Sequence, residues 1–320
     1  MITYPGNAPV LERDSIEWAL MLTASKAPKV YGVAGKWGGP RSVYEPMRAA
    51  LLGEPFDREP SSQIQRDGNH LEPAVRGMWL DRRPGYELFG GEVMFTRDDL
   101  GFPAGATPDD VAELPSGERV LVQIKTDRHG MKFGKPGTDE IPLVYYVAEQ
   151  WALHIARATD PNIYRSLLPV LTPFIDVEEF VVTYNPQHAQ QIENVCRDFY
   201  LNNVRAGIPP AGNGSEADYD IIRRQHPEIV ADSKWQIHPQ LALDLCEAQA
   251  EVKAAEARVL KAKSDVLDRV GNAREIWCGD QKVGQRQPTK KGVALYPPRK
   301  EVDLDQLRAD LIDFDQEIAA

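Results

Sequence analysis

The sequence predicts an α/β fold with a mixed central sheet flanked by helices, followed by a C-terminal extension of different character. Across residues 69–206, helical and strand-like patterns alternate in the order helix, strand, strand, helix, strand, helix. Residues 241–270 instead carry a seven-residue apolar repeat. Hydrophobic residues make up 42% and charged residues 27% of the 320, which is the composition of an ordinary globular protein.

The first third of the chain is predicted to be helical. Residues 15–28 predict a short helix that runs into a turn at 23–25, and a later helix ends at Gly53, a residue type that favours helix C-termini. A polar loop follows. The next helix is expected to begin at Asn69, with Pro73 in its first turn, where proline is tolerated.

The remainder of the α/β region is predicted from alternating apolar residues and helical periodicity. Two strand-like runs lie at 87–95 and 119–126, separated by a stretch dense in turn-forming residues. Residues 141–158 predict a long apolar helix and 178–184 a strand. An amphipathic helix with a glycine stop follows from Pro186.

We expect residues 1–210 to form one domain and residues 211–320 an extension. In the heptad repeat of 241–270, the a positions hold larger residues than the d positions. The a residues are Leu245, Val252, Val259 and Val266, and the d residues that follow the first three are Ala248, Ala255 and Ala262. This pattern is the seam of a long helix with small d residues, which we assign to a helical hairpin or a subunit contact. A β-hairpin and an acidic helix at 303–318 are expected to follow.

Charge and composition narrow the functional classes. A net charge of −11 argues against indiscriminate coating of nucleic acid, although an enzyme can confine positive potential to one channel. Three widely spaced cysteines offer neither a disulfide framework nor a metal knuckle. No stretch approaches the roughly 18 to 20 apolar residues of a membrane helix, so we expect no membrane association and a cytoplasmic location.

The most informative segment places an acid in a turn before a strand that carries a lysine. Asp109 precedes the strand that contains Gln123 and Lys125. Alternation along the strand puts these two side chains on one face and Val120, Val122 and Ile124 on the other. Hydrolysis of a phosphodiester needs a divalent cation with oxygen ligands and a group that orients water. An edge strand with outward Gln and Lys is the alternative interpretation.

The order of these motifs resembles the YqaJ-type viral recombinases, which are similar to lambda-phage exonuclease, within the PD-(D/E)xK nuclease superfamily. The resemblance covers roughly residues 15–210 in these segments: TASKAPKVYGV, WGGPRSVYEPMRAALLGE, GNHLEPAV, GATPDD, VQIKT and IPLVYYVAEQWALHIA. It implies a restriction-endonuclease-like core.

The resemblance also implies the residues of a catalytic site. Glu72 and Asp109 would hold the metal, Mg²⁺ with Mn²⁺ as the alternative, and Gln123 and the carbonyl of Ile124 would complete the ligand set. Lys125 would position the attacking water. A solvated first-turn acid is the alternative for Glu72.

Other residues are implied at the margin of this site. Gln150 would orient water or phosphate, with a satisfied core amide as its alternative. Ser25, Lys26 and Thr107 would contact a terminal 5′ phosphate, with a helix cap as the alternative for Ser25. Asp98 and Asp110 are alternative metal-binding acids.

Two positions depart from the family pattern. The family usually has Glu where this chain has Gln123, which removes one charge from the ligand set. Relatives often carry an arginine upstream of the first motif, where this chain has Trp18; Lys26, Arg13 or Lys36 are the substitutes.

The function implied is a phage or prophage exodeoxyribonuclease. It would digest one strand of linear duplex DNA from its 5′ end, act in the host cytoplasm and leave overhangs for a single-strand annealing protein. Family precedent implies a homotrimer. The alternatives are an endonuclease of the same superfamily and an inactive DNA-binding or scaffold protein.

Overall fold

The computed structural model describes residues 8–12, 15–56, 62–128, 130, 133–225, 227–290, 292–298 and 301–319. Its contacts divide the chain into two compact units, Met1–Ile229 and Val230–Ala320. The boundary expected at residue 210 falls inside the first unit. The reason is a later helix whose buried Asp218 accepts hydrogen bonds from the main-chain N–H groups of Gly39 at 3.1 Å and Ser42 at 3.3 Å.

The helices of the first unit are α1 (Ile16–Leu20), α2 (Ala27–Tyr31), α3 (Pro40–Leu52), α4 (Gln63–Leu80), α5 (Leu143–Thr159), α6 (Pro186–Asp198) and α7 (Glu216–Arg224). Its strands are β1 (Glu87–Leu88), β2 (Phe95–Arg97), β3 (Ala104–Ala106), β4 (Asp110–Glu113), β5 (Arg119–Val122), β6 (Lys125–Thr126), β7 (Arg165–Leu171) and β8 (Val177–Thr183). A 3₁₀ turn occupies Gly35–Trp37, and a π-helical stretch, Phe199–Arg205, continues α6.

The predicted mixed sheet flanked by helices is confirmed. β1, β4, β5 and β7 are neighbours in that order, with β1–β4 and β4–β5 antiparallel and β5–β7 parallel. β7 also pairs with β6 in parallel and with β8 antiparallel. β2 and β3 form a separate antiparallel ribbon.

Each face of the sheet buries a helix. Val120, Val122 and Ile124 pack with α4 in one apolar cluster, whereas Leu121 packs with α5 in the other. The strand from 119 to 126 therefore alternates as the sequence predicts. Burial of these β-branched and aliphatic side chains on both faces stabilises the sheet at the point where the candidate site is built.

The start of α4 corrects the sequence-based boundary. The helix begins at Gln63, because Ser62 and Gln65 form a reciprocal capping box that satisfies main-chain N–H groups at its first turn. Pro73 consequently lies inside the helix and not in its first turn. Glu72 is thus presented from the middle of an 18-residue helix.

The second unit contains the predicted long helix, α8 (Pro239–Arg269), and the terminal helix α9 (Leu304–Ala319). Between them the expected hairpin is a three-stranded antiparallel sheet of β9 (Glu275–Cys278), β10 (Gln281–Thr289) and β11 (Gly292–Tyr296), with β10 in the centre. No residue of α8 is buried. None of the helices in the described part of the chain has the length and apolar character needed to span a bilayer.

Candidate active site

The Asp109 carboxylate accepts a hydrogen bond from the strand that carries Gln123 and Lys125. β4 begins at Asp110, which pairs with Val122 in an antiparallel register, so the N–H of Ile124 lies beyond the first residue of β4. The Oδ2 atom of Asp109 accepts that N–H at 2.6 Å. A carboxylate therefore takes the place that a strand neighbour would occupy, and the acid is fixed against the main chain of Ile124.

The strand is interrupted at the same point. β5 and β6 share one parallel register with β7, which places Pro169 opposite Ile124. Pro169 has no N–H to donate to the strand beside it. The N–H of Gln123 donates to Leu167 at 3.0 Å before the gap, and Asp127 donates to Leu171 at 2.8 Å after it.

The main-chain groups of Ile124 point away from β7. Successive residues of a strand direct their N–H and C=O to alternate sides. Since the N–H of Ile124 faces Asp109, its carbonyl opens toward the same side. That carbonyl accepts a hydrogen bond from the Lys125 ammonium at 3.1 Å. A carboxylate, a carbonyl and an ammonium are thereby collected at one end of the strand.

Arg76 joins the predicted acids, and sequence reasoning did not identify it. Its Nη2 atom donates to Oε1 of Glu72 at 3.0 Å and to the carbonyl of Asp109 at 3.1 Å. The carboxylate of Glu72 and the main-chain carbonyl of Asp109 therefore lie around one guanidinium nitrogen. The signal in the sequence was the position of Arg76 one helical turn after Glu72.

Asp110 has a supporting role. Its side chain is fully buried and pairs with Arg76. Its oxygens also accept the main-chain N–H groups of Gly90 and Gly91 at 3.1 Å and of Val111 at 2.8 Å. Burial raises the pKa of Asp110, while these donors and Arg76 oppose that rise. These contacts hold Arg76 and the 90–91 loop. The other alternative acid, Asp98, is exposed after β2.

Glu149 is a second residue that sequence reasoning missed. It lies on α5, is 2% exposed, and its Oε2 accepts the hydroxyl proton of Ser166 on β7 at 2.7 Å. Burial raises the pKa of Glu149 to about 7, the charge of Lys125 and the Ser166 hydroxyl lower it, and the charge of Asp109 raises it. A buried carboxyl group therefore lies within electrostatic reach of both Lys125 and Asp109. The sequence signal was a single acid in an apolar helix.

Gln150 corrects the site predicted for α5. Its Nε2 donates to the carbonyl of Thr183 at 2.8 Å, and its Oε1 accepts the N–H of Asn185 at 2.9 Å. The side chain bridges the end of β8 to the start of α6. This is the satisfied core amide that the sequence left open. The residue of α5 that interacts with Lys125 is its neighbour, Glu149.

Lys26 is also placed differently from the prediction. Its ammonium is buried and donates to the carbonyls of Trp18, Ala19 and Met21 at 2.8, 2.8 and 2.9 Å. It lies 4.2 Å from the centre of the Trp18 ring. Burial, with a smaller contribution from the charge of Lys29, lowers the pKa of Lys26 to about 7. With three donors used at the end of α1, Lys26 is a structural lysine and not a phosphate ligand.

Ser25 and Thr107 remain candidates for contact with a terminal phosphate. Ser25 is exposed, and its hydroxyl bonds that of Thr23 at 3.0 Å; it does not cap α2. The segment at Leu22 runs parallel to Ala104, so residues 22–25 and 104–107 lead toward the same end of β3. Of the substitute cations, Lys36 is exposed, and Arg13 lies outside the described residues.

The donor set fits a hard divalent cation. Glu72 and Asp109 would supply two carboxylates, and Gln123 and the carbonyl of Ile124 would supply neutral oxygens. Mg²⁺ is typically held by one or two carboxylates while it keeps several waters. Among the described residues, no group of three or more His, Cys, Asp or Glu side chains is close enough to hold a metal ion. Any site here therefore depends on the amide of Gln123, the carbonyl, water and substrate.

No protein-family model matches the sequence, and no curated protein matches it significantly. Solved structures with similarity to the chain include exonucleases. LHK-Exo in complex with dAMP, an alkaline exonuclease of Laribacter hongkongensis, is 17% identical, with 68% of this chain and 98% of that chain covered and a TM-score of 0.46. An exonuclease from Eubacterium rectale described as putative is 12% identical, with 74% of this chain and 98% of that chain covered and a TM-score of 0.46. A phage-related exonuclease from Haemophilus somnus is 10% identical, with 59% of this chain and 96% of that chain covered and a TM-score of 0.39.

Proposed function

We propose that this chain is a metal-dependent exodeoxyribonuclease that acts on the ends of linear duplex DNA. One observation carries the proposal. Glu72, Asp109 and Ile124 lie together: the Asp109 carboxylate accepts the N–H of Ile124, between Gln123 and Lys125, at 2.6 Å. Arg76 donates both to Glu72 and to the main-chain carbonyl of Asp109.

The proposed metal ligands are Glu72, Asp109, the amide oxygen of Gln123 and the carbonyl of Ile124. A bound Mg²⁺ would supply an activated water and neutralise the charge that develops on phosphate. The protein side chains do the positioning. Asp109 is fixed by the N–H of Ile124, and Glu72 is fixed by Arg76, so neither carboxylate has to be ordered when substrate binds.

Lys125 is the proposed water-orienting group. Its ammonium already lies against the carbonyl of Ile124 at 3.1 Å, and in the proposed complex it donates to the attacking water or to a non-bridging phosphate oxygen. Glu149, on α5, lies within electrostatic reach of this ammonium. The hydroxyls of Ser25 and Thr107 are the proposed donors to a 5′ phosphate.

The proposed biological role follows from the resemblance of the sequence to the YqaJ-type recombinases. Digestion from 5′ ends leaves single-stranded overhangs, which a single-strand annealing protein uses in phage recombination in the host cytoplasm. A homotrimer around duplex DNA is the proposed assembly by family precedent. The net charge of −11 requires that contacts with phosphate be confined to the site, since the chain as a whole repels DNA.

Digestion of end-labelled linear duplex DNA tests the reaction and the site together. Substrates carry the label at the 5′ or the 3′ end, and each is incubated with Mg²⁺, with Mn²⁺ or with a chelator. Lys125→Ala is expected to lower the rate about 10²- to 10³-fold, the usual loss when one charge-stabilising donor is removed. Lys261→Ala is the matched control, because it removes the same charge from an exposed site in the second unit.

The outcomes separate the alternatives. Metal-dependent release of mononucleotides from 5′-phosphorylated ends, lost in Lys125→Ala, supports the proposal. Cleavage of circular duplex DNA would favour an endonuclease. No digestion with either metal, by a protein that still binds DNA, would favour the inactive scaffold.

Calorimetric titration with Mn²⁺ tests the ligand set without turnover. Asp109→Asn is expected to weaken binding, and Gln123→Glu is expected to tighten it because it adds a third carboxylate. Equal affinity in all three proteins would remove these residues from the ligand set.

A further inference from the structure

The long helix α8 exposes an apolar seam along its length. The a-position side chains Leu245, Val252 and Val259 are 56%, 58% and 54% exposed, and Leu241, a d position, is 61% exposed. Val266 is half-buried. At about 1.5 Å per residue, the 31-residue helix is roughly 46 Å long. A heptad seam of this length matches a second helix with the same repeat.

The spacing of large and small residues favours an antiparallel partner. In an antiparallel pair, an a residue of one helix faces a d residue of the other. A register that places Val252 opposite Ala255 of a second copy also places Leu245 opposite Ala262 and Val259 opposite Ala248. Each of these three layers joins one large side chain to one alanine, which lets the helices approach closely along the middle of the seam, whereas Leu241 faces Val266 at its two ends.

The flanking charges select the same orientation. In the antiparallel register, Glu251 faces Arg258 of the second copy, and symmetry produces this pair twice. A parallel pair would instead place Glu251 against Glu256, and Arg258 against Lys263, which are like charges. Asp244 faces Asp265 in the antiparallel register, but this pair lies toward the ends of the seam.

From this complementarity we propose that α8 pairs antiparallel with α8 of a second copy of the chain, with two-fold symmetry and Val252 opposite Ala255. The contact is independent of the nuclease proposal, because it uses residues of the second unit alone. It provides an association between subunits that is separate from any assembly made by the first unit.

Sedimentation velocity of the full chain across a concentration series measures this association. Glu251→Arg places like charges at both symmetric pairs and is expected to weaken it about 10- to 30-fold, given up to roughly 1 kcal/mol for each exposed pair. Arg258→Glu is expected to do the same. Combining the two substitutions swaps the pair and is expected to restore association. Glu247→Arg, with the same charge change at an outward position, is the control and is expected to have no effect.

Disulfide trapping tests the register, in a background in which the exposed Cys246 and Cys278 are replaced by Ser. Val252→Cys with Ala255→Cys is expected to cross-link two chains in high yield, whereas Val252→Cys alone is expected to cross-link poorly. Efficient cross-linking of the single variant would establish a parallel pair and overturn the proposal. So would the absence of any association sensitive to Glu251→Arg, which would mean that α9 of the same chain or another protein covers the seam.

Discussion

Arg76 joins the buried Asp110 to the candidate site, and removing the arginine is expected to destabilise the protein. Asp110 is fully buried and Arg76 is 22% exposed. Deleting one partner of a buried ion pair costs about 3 to 5 kcal/mol. Asp110 would keep three main-chain N–H donors, so we expect the lower value, about 3 kcal/mol. For a unit of this size, that corresponds to a fall in melting temperature of about 6 to 12 °C.

The substitution is Arg76→Met, which keeps the aliphatic stem, and the assay is thermal and urea denaturation followed by circular dichroism. Arg82→Met is the control: Arg82 pairs with Asp176 at 2.8 Å, but the two side chains are 50% and 58% exposed. Because this pair is exposed to solvent, its loss is expected to change the stability little. Arg76→Met combined with Asp110→Asn is expected to cost less than the sum of the two single losses, by about 1 to 3 kcal/mol. Additivity to within about 0.5 kcal/mol would refute the argument that Arg76 compensates a buried charge.

Two further predictions concern the buried acid of α5 and a glycine of β3. Burial raises the pKa of Glu149 to about 7 from the usual 4.5, so the folded protein holds this proton more tightly than the unfolded chain does. Stability is therefore expected to fall by up to about 3 kcal/mol between pH 4.5 and 7.5, and Glu149→Gln to flatten that dependence in urea titrations; an unchanged slope would contradict it. A Cβ at Gly105 would overlap the Sδ of Met21 and lie 3.3 Å from the carbonyl of Phe95, so Gly105→Ala is expected to cost about 1 to 2 kcal/mol. Gly77→Ala in α4 meets nothing within 4 Å and is expected to stabilise by up to about 1 kcal/mol; equal shifts in melting temperature would contradict the packing argument.

Elements with strong periodicity were predictable from the sequence. α5 and α8 lie where the apolar patterns place them, as does β8, and Gly53 ends α3 in the left-handed conformation. These segments carry their pattern over many residues, so local context does not change the result.

The strands around the site were harder to predict from the sequence. β3 and β4 lie in the stretch that its glycines and prolines marked as turns, and they form because tertiary pairing overrides that local preference. β7 was missed altogether, although it is paired on both sides. It contains Pro169, a residue that argues against a central strand when only the sequence is known.

Some residues of the candidate site were likewise predictable from the sequence, and others were not. Asp109, Gln123 and Lys125 followed from strand alternation and from motif order. Arg76 and Glu149 act through neighbours on other elements, and their roles depend on which helix faces which side of the sheet. The assignment of Lys26 failed for a local reason, because its ammonium donates to carbonyls eight, seven and five residues earlier in the chain.

The bond between Asp109 and Ile124 also affects how the protein responds to mutation. Ile124 contributes its N–H and carbonyl at the site, while its side chain lies in the core with α4. Exchange of Ile124 for another aliphatic residue changes core packing and leaves both polar groups in place. A side-chain scan would therefore register this position as a stability residue. Replacement of the amide between Gln123 and Ile124 by an ester, which removes the N–H of Ile124 and keeps its side chain and its own carbonyl, is the change that would release Asp109.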